Sequence, residues 1–188
     1  MKKIALFASG SGSNAENIII YFRQSATVKV QIVFTNNIQA GVIVRAQKYD
    51  VPVLHFTRAM LYDSDYIVKL LQINNIDLIV LAGFLWLIPV SMIQAFPLKI
   101  INIHPALLPK YGGPGMYGMH VHRAVKDNKE KESGISIHYV NEEYDKGTII
   151  FQATCPVNPQ DSPDDIAAKV HELEYRHFPV VIDNLLKK

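Results

Sequence analysis

Two polar side chains lie two residues apart near the end of an apolar stretch. Asn102 and His104 belong to the run Ile100-Ile101-Asn102-Ile103-His104, and Pro105 follows it directly. Because residues i and i+2 of a strand share a face, we expect the amide and the imidazole to point into the same space. An amide that donates a hydrogen bond beside an imidazole that moves a proton suits carbonyl chemistry. Ligands of open α/β sheets bind at the carboxyl ends of the strands, which is where this pair would lie.

A third polar group is needed to orient the imidazole or to receive a proton from an attacking nucleophile. Asp145, in the polar turn Glu142–Gly147 between two predicted strands, is the best candidate. An aspartate in a turn also caps nearby N–H groups for purely local reasons. Asp145 taken alone therefore leaves both interpretations open.

The first loop of the chain is rich in glycine and serine and predicts an anion site. It reads Ser9-Gly10-Ser11-Gly12-Ser13-Asn14, and Ser13 with Glu16 fits a capping box that begins a helix at this loop. Free N–H groups at a helix start favour a phosphate, although a tight, well-capped turn explains the same residues. The loop also fits the dinucleotide pattern G-x-G-x-x-A. The second strand ends in Thr35-Asn36-Asn37 without the acidic residue that this pattern expects, so a monophosphate ester is favoured over NAD.

The elements that would hold these residues alternate along the first hundred positions, as in a parallel sheet covered by helices on both faces. The predicted strands are Ile4–Ala8, Val28–Thr35, Val51–Phe56, Leu78–Ala82 and Lys99–Ile103, and the predicted helices are Asn14–Arg23, Gln39–Tyr49 and Asp65–Asn74, with a less regular segment at Pro89–Ala95. An antiparallel hairpin follows, formed by Gly134–Asn141 and Thr148–Cys155. A last helix is predicted from the cap Ser162 to about Arg176, where Pro179 breaks or kinks it.

We therefore predict an α/β protein of three layers, with a Rossmann-like, mostly parallel sheet and an antiparallel C-terminal hairpin. We expect residues 1–188 to form one domain, in which residues 1–100 bind the phosphate and residues 101–188 carry the catalytic groups.

Composition excludes several functional classes. The 188 residues carry a formal charge of +2 with scattered charges, which does not suggest nucleic acid as a partner. No apolar run is long enough to span a bilayer, and the N-terminus lacks the pattern of a signal peptide. Cys155 is the only cysteine, so no disulfide framework or structural zinc site is expected. These features predict a reduced, cytoplasmic protein.

Four motifs in order along the chain resemble the phosphoribosylglycinamide formyltransferases. They are the glycine–serine loop, Leu81-Ala82-Gly83-Phe84, Asn102-Ile103-His104-Pro105-Ala106-Leu107-Leu108-Pro109, and Asp145-Lys146-Gly147. The third motif alone is similar to the wider group of folate-dependent formyltransferases. The glycine–serine loop and the short length of the chain narrow the resemblance to the phosphoribosylglycinamide formyltransferases. It implies transfer of a formyl group from 10-formyltetrahydrofolate to the amine of a glycinamide ribotide, without a metal, by a monomer or homodimer.

The resemblance also implies roles for individual residues. Asn102, His104 and Asp145 would be catalytic. The ribotide would bind through Gly12, Ser13 and Asn14 at its phosphate and through Glu174 at its sugar. The folate would contact Phe84, Leu85, Trp86, Leu87, Ile88, Asn102, Val140 and Asp145.

Two features depart from the pattern of the relatives. Many of them carry an arginine where this chain has Trp86. Another group must therefore make the contact with the folate that the arginine makes in those relatives. The loop Tyr111–Met119 is also longer than in many relatives, which makes it either a reshaped site entrance or a surface excursion.

Other assignments remain open at this stage. His120 and His122 do not share a face if they begin a helix, so a metal site is disfavoured, and His138 is either a supporting or a structural histidine.

Other formyl transfers, and hydrolysis of the formyl folate, are the alternative reactions. We expect neither the RNA-binding domain of a tRNA formyltransferase nor the N-terminal regulatory domain of a hydrolase. A nucleotide-binding module without catalysis is a third possibility.

Overall fold

The computed structural model describes residues 1–187, and its strands form one mixed sheet. Within those residues the sheet has seven strands in the order β3-β2-β1-β4-β5-β6-β7. They are β1 (Lys2–Phe7), β2 (Val28–Thr35), β3 (Val53–His55), β4 (Leu78–Leu81), β5 (Ile100–His104), β6 (Glu132–Tyr139) and β7 (Ile149–Pro156). The first five strands are parallel, and β6 and β7 add an antiparallel pair at one edge. The predicted fold class is confirmed.

Helices cover both faces of the sheet. They are α1 (Ser13–Phe22), α2 (Val42–Gln47), α3 (Arg58–Tyr62), α4 (Tyr66–Ile73), α5 (Val90–Ala95), α6 (Met119–Asp127) and α7 (Pro163–Leu186). Alternation along β1 sends Ile4 and Leu6 into the apolar cluster under α1, α2, α6 and α7, and sends Ala5 and Phe7 into the cluster under α3, α4 and α5. Among the described residues, no helix combines the length and the apolar character needed to cross a membrane.

The prediction that the last helix ends at about Arg176 was wrong. Ser162 caps α7 through a capping box with Asp165, as predicted, but the helix continues through Pro179 to Leu186. A proline lacks the N–H that would bond the carbonyl four residues earlier, which here belongs to Tyr175. The side chain of Asn17 on α1 donates to that carbonyl at 2.8 Å, so a neighbouring helix supplies the missing donor.

The capping box predicted at Ser13 was also wrong. The N-cap of α1 is Gly12, with φ 77° and no capping side chain, and Ser13 is the first helical residue. Glu16 forms an ion pair with Arg45 and lies 3.8 Å from Lys48 instead of turning back to the cap. A β-carbon at Gly12 would lie 2.4 Å from Cβ of Val42, so the close packing of α2 requires glycine there.

Candidate active site

One cavity of about 600 Å³ opens where β1, β4 and β5 end. Its walls come from the loops that follow these strands, from the glycine-rich segment before α6, from the turn before β7 and from one side of α7. The predicted site residues all line it: Gly12, Ser13, Asn14, Phe84, Leu85, Trp86, Leu87, Ile88, Asn102, His104, Val140, Asp145 and Glu174. The fold therefore gathers residues that are up to 162 positions apart into one space; their roles stay predictions.

The Asn102 amide meets two other polar side chains on the cavity wall. Its Nδ2 lies 3.2 Å from Nε2 of His138 and donates to Oδ1 of Asp145 at 3.3 Å. Asn102 and His138 are direct partners across β5 and β6, which sets this spacing through the backbone. Nδ1 of His138 lies 2.9 Å from the carbonyl of Tyr139, which can only accept. A neutral His138 therefore carries its proton on Nδ1 and accepts from Asn102 through Nε2.

His104 is almost completely buried and is held on two sides. Its Nε2 lies 2.7 Å from the carbonyl of Tyr111 and donates to it, while its Nδ1 lies 3.5 Å from Oδ2 of Asp145. Burial lowers the pKa of His104, and this outweighs the raising effects of the Asp145 charge and the Tyr111 carbonyl. The resting imidazole is thus neutral at pH 7, with its proton on Nε2 and a free electron pair facing Asp145.

Asp145 is the common partner of this group. Its Oδ2 accepts from the N–H of Gly113 at 2.9 Å, which ties the glycine-rich segment to the hairpin turn. Burial raises the pKa of Asp145, but the side chains of His138 and His104 in their protonated forms, together with the Gly113 N–H, hold that pKa below its usual value. Its backbone has φ 55°, a left-handed conformation that costs of order 1 kcal/mol outside glycine. The carboxylate is therefore ionised, and in the free chain Asn102 and Gly113 each donate to one of its oxygens.

The glycine–serine loop forms the opposite end of the cavity. The helix α1 begins at Ser13, and the N–H groups of its first turn have no carbonyl one turn earlier to bond. Nε of Arg45 donates to the carbonyl of Ser11 at 2.9 Å, so a cation lies behind the loop. This backbone geometry suits an anion such as a phosphate.

Glu174 projects from α7 toward the same end and is 4% exposed. Its Oε2 accepts from Nδ2 of Asn14 at 2.9 Å and lies 2.8 Å from Nδ1 of His171. The hydrogen bond to Glu174 raises the pKa of His171 and outweighs the opposite effect of burial. A buried carboxylate with two donors is thus joined to the loop that begins α1.

The segment Phe84–Ile88 after β4 forms an apolar wall. The buried hydroxyl of Ser9 accepts from the N–H of Leu85 at 3.0 Å, which joins this wall to the loop after β1. Trp86 is half-buried, and the guanidinium carbon of the exposed Arg58 lies 5.6 Å from the centre of its indole ring. The Arg58 cation therefore lies beside the indole ring of Trp86.

The structure adds groups that the sequence did not single out. The N–H of Gly113 binds Asp145, which places the long loop Tyr111–Met119 in the cavity wall and not in a surface excursion. His171 lies beside Glu174, and Arg58 lies beside Trp86. These contacts depend on how α7 and α3 pack, so the sequence alone did not predict them. Within residues 1–187, no group of three histidine, cysteine or acidic side chains is arranged to hold a metal ion.

Comparison with known proteins agrees with this fold and these motifs. Residues 2–182 match the formyl transferase family. A chloroplastic phosphoribosylglycinamide formyltransferase from Arabidopsis thaliana is 41% identical over 187 residues, which cover 96% of this chain and 64% of that protein. The chain therefore spans less than two thirds of the length of this plant relative.

Two bacterial relatives are covered more completely. A phosphoribosylglycinamide formyltransferase from Haemophilus influenzae is 38% identical over 187 residues, 97% of this chain and 86% of that protein. The crystal structure of glycinamide ribonucleotide transformylase 1 from Symbiobacterium toebii superposes with a TM-score of 0.90 at 31% identity, over 100% of this chain and 88% of that one. With the match over residues 2–182, these relatives show that the chain belongs to the formyl transferase family.

Proposed function

We propose that this chain transfers the formyl group of 10-formyltetrahydrofolate to the amine of 5'-phosphoribosylglycinamide in purine biosynthesis. The observation that carries the proposal is the meeting of Asn102, His104 and Asp145 on one cavity wall, between an anion-binding helix start and an apolar wall. Family membership and the names of the relatives support the same reaction.

The two substrates would enter from opposite ends. The ribotide phosphate would accept from the N–H groups of Gly12, Ser13 and Asn14, and its sugar hydroxyls would donate to Glu174. The folate ring would lie against Phe84, Leu85, Trp86, Leu87 and Ile88, with Val140 and Asp145 on its other side. The amine and the formyl carbon would then meet beside Asn102 and His104.

The residue types suit an attack on a formyl carbon. The neutral amine forms a bond to that carbon, and the carbonyl electron pair moves onto oxygen. The Nδ2 hydrogens of Asn102 and the Nε2–H of His104 are the donors available to that oxyanion. Both donors have protein partners in the free chain, the Asp145 and His138 side chains and the Tyr111 carbonyl, which the oxyanion would replace.

Proton movement would complete the transfer. Asp145, which is ionised, stabilises the ammonium formed by the attack and takes its proton directly or through a water molecule. When the tetrahedral intermediate collapses, the bond between the formyl carbon and the folate nitrogen breaks, and that nitrogen takes up the proton that Asp145 received, which leaves Asp145 ionised again. The products are formylated ribotide and tetrahydrofolate, so atoms and charge balance without a metal or a nucleotide.

The test is release of tetrahydrofolate from 10-formyltetrahydrofolate by the purified chain, with and without the ribotide. We expect release only when the ribotide is present, together with an equal amount of formylated ribotide. Release without the ribotide would identify a hydrolase instead. Absence of release in both cases, from folded protein, would contradict the proposal and favour a binding module.

A further inference from the structure

His122 is a buried histidine that the proposed reaction does not yet use. It lies on α6, is 2% exposed and lines the same cavity as the catalytic candidates. Its Nδ1 is buried and has no hydrogen-bond partner among the described residues. Buried polar atoms are rarely left unpaired, because desolvation without a compensating bond costs free energy. This nitrogen is shielded from the cavity in the free chain, so a bound ligand becomes its partner only when the ring turns the nitrogen toward the cavity.

The surroundings of His122 keep its imidazole neutral. Burial lowers its pKa to about 4, helped by the positive charges that His171 and His104 carry when protonated and opposed by the negative charges of Glu174 and Asp164. At pH 7 the ring thus offers one N–H donor and one acceptor nitrogen. A neutral amide is complementary to such a ring, since it also carries one donor group and one acceptor, whereas a phosphate offers acceptors only.

The position of His122 in the cavity indicates which part of a substrate its ring would contact. Its ring centre lies 6.5 Å from that of His171, whose Nδ1 bonds Glu174, and His104 lines the same cavity. His122 therefore lines the cavity that also holds Glu174, the proposed sugar contact, and His104, the proposed contact of the reacting formyl group. In the ribotide, an amide group connects the sugar to the reacting amine.

We propose that His122 hydrogen-bonds this amide and thereby selects ribotides that carry it. The inference rests on the proposed function, because that function places the sugar and the amine. His122 binds substrate in this view and takes no part in proton transfer. A half-turn of the ring about its Cβ–Cγ bond exchanges Nδ1 with Cδ2, so the nitrogen can face either side without moving the backbone.

The test compares binding of two ligands, the glycinamide ribotide and ribose 5-phosphate, measured by calorimetry without folate. Ribose 5-phosphate keeps the sugar and the phosphate but lacks the amide. We expect His122→Phe to weaken ribotide binding roughly 10- to 100-fold and to leave ribose 5-phosphate binding unchanged. His122→Gln, which keeps a donor and an acceptor, should recover most of the loss. His120→Gln is the matched control, since His120 is an exposed histidine on the same helix.

Several results would overturn the inference. Unchanged ribotide binding by His122→Phe, or an equal loss for both ligands, would show that the ring does not read the amide. If the phenylalanine variant does not fold, His122→Leu makes the same comparison. Formyl transfer by the unaltered chain tests the proposed function separately. Suppose that the unaltered chain transfers the formyl group only when the ribotide is present, while His122→Phe binds the ribotide with unchanged affinity. This pair of results would contradict the role of His122 and still support the proposed formyl transfer.

Discussion

Asn102 and Asp145 are joined on the cavity wall by a hydrogen bond of 3.3 Å from Nδ2 to Oδ1. The same nitrogen faces Nε2 of His138 at 3.2 Å, so both of its hydrogens have partners in the free chain. In the proposed reaction, Asp145 turns toward the ammonium as that cation forms. This rotation of the Asp145 side chain frees a hydrogen of Asn102 for the oxyanion that forms in the same step. A single side-chain rotation thus stabilises both the ammonium and the oxyanion.

The first prediction concerns Asn102. We expect Asn102→Ala to lower kcat by about 10²–10³, because it removes an oxyanion donor from a buried site. Asn184→Ala, which alters an exposed asparagine on α7, is the control for general effects on folding. Steady-state rates of tetrahydrofolate release give the comparison. A folded Asn102→Ala protein with an unchanged rate would remove this role.

The second prediction separates proton transfer from binding. Asp145→Asn should lower kcat by about 10²–10⁴, because it removes the proton acceptor and the negative charge beside the ammonium. The ribotide dissociation constant should change far less, since the phosphate and sugar contacts lie elsewhere. Calorimetry and single-turnover rates measure the two quantities. Equal losses in both would instead indicate that Asp145 has a structural part.

The sequence predicted the sheet and the central pair because both depend on short-range periodicity. Alternation along Ile100–His104 placed Asn102 and His104 on one face, and burial of both faces of a parallel sheet gave near-continuous apolar strands. The strand bounds in the structure differ from the predicted ones by at most two residues, which is the usual uncertainty at element ends.

What the sequence could not provide depends on contacts between distant elements. Pro179 is tolerated in α7 because Asn17, 162 positions earlier, donates to the carbonyl left free. Gly12 takes the cap of α1 because Val42 packs against it, while Glu16 pairs with Arg45. The environment of His122 likewise follows from the packing of α6 against α7, which no local pattern records.

The third prediction concerns the pair formed by Glu174 and His171 and does not depend on the reaction. Glu174→Gln should lower the pKa of His171, because the hydrogen bond and the charge of Glu174 raise it in the native protein. The titration of the His171 ring, followed by NMR, measures the change. An unaltered pKa would show that the two side chains do not interact in solution. The same variant should weaken ribotide binding if Glu174 holds the sugar.

The fourth prediction concerns the turn that begins α1. Gly12→Ala should destabilise the protein by about 1–3 kcal/mol, because its β-carbon would meet Val42 and its backbone has φ 77°. Gly10→Ala is a matched control on the same loop, since a β-carbon there has no atom within 4 Å. Urea unfolding of both variants measures the difference. Similar stabilities would contradict the packing described here.

The fifth prediction concerns stability in mild acid. The pKa of His122 falls from 6.5 to about 4 on folding, so between these values the unfolded chain binds a proton that the folded chain excludes. The free energy of unfolding should therefore decrease as the pH falls, by about 2 kcal/mol from this residue between pH 7 and pH 5.

His122→Gln isolates that contribution, because glutamine does not titrate. The lowered pKa values of His104 and His177 act in the same direction, and the raised pKa of His171 opposes them. These groups are present in both proteins, so their effects cancel to first order in the comparison. We expect the variant to lose about 2 kcal/mol less than the unaltered chain over this range, by urea unfolding at each pH. Parallel losses would mean that the folded protein admits the proton, and His122 would then be far better solvated than its burial indicates.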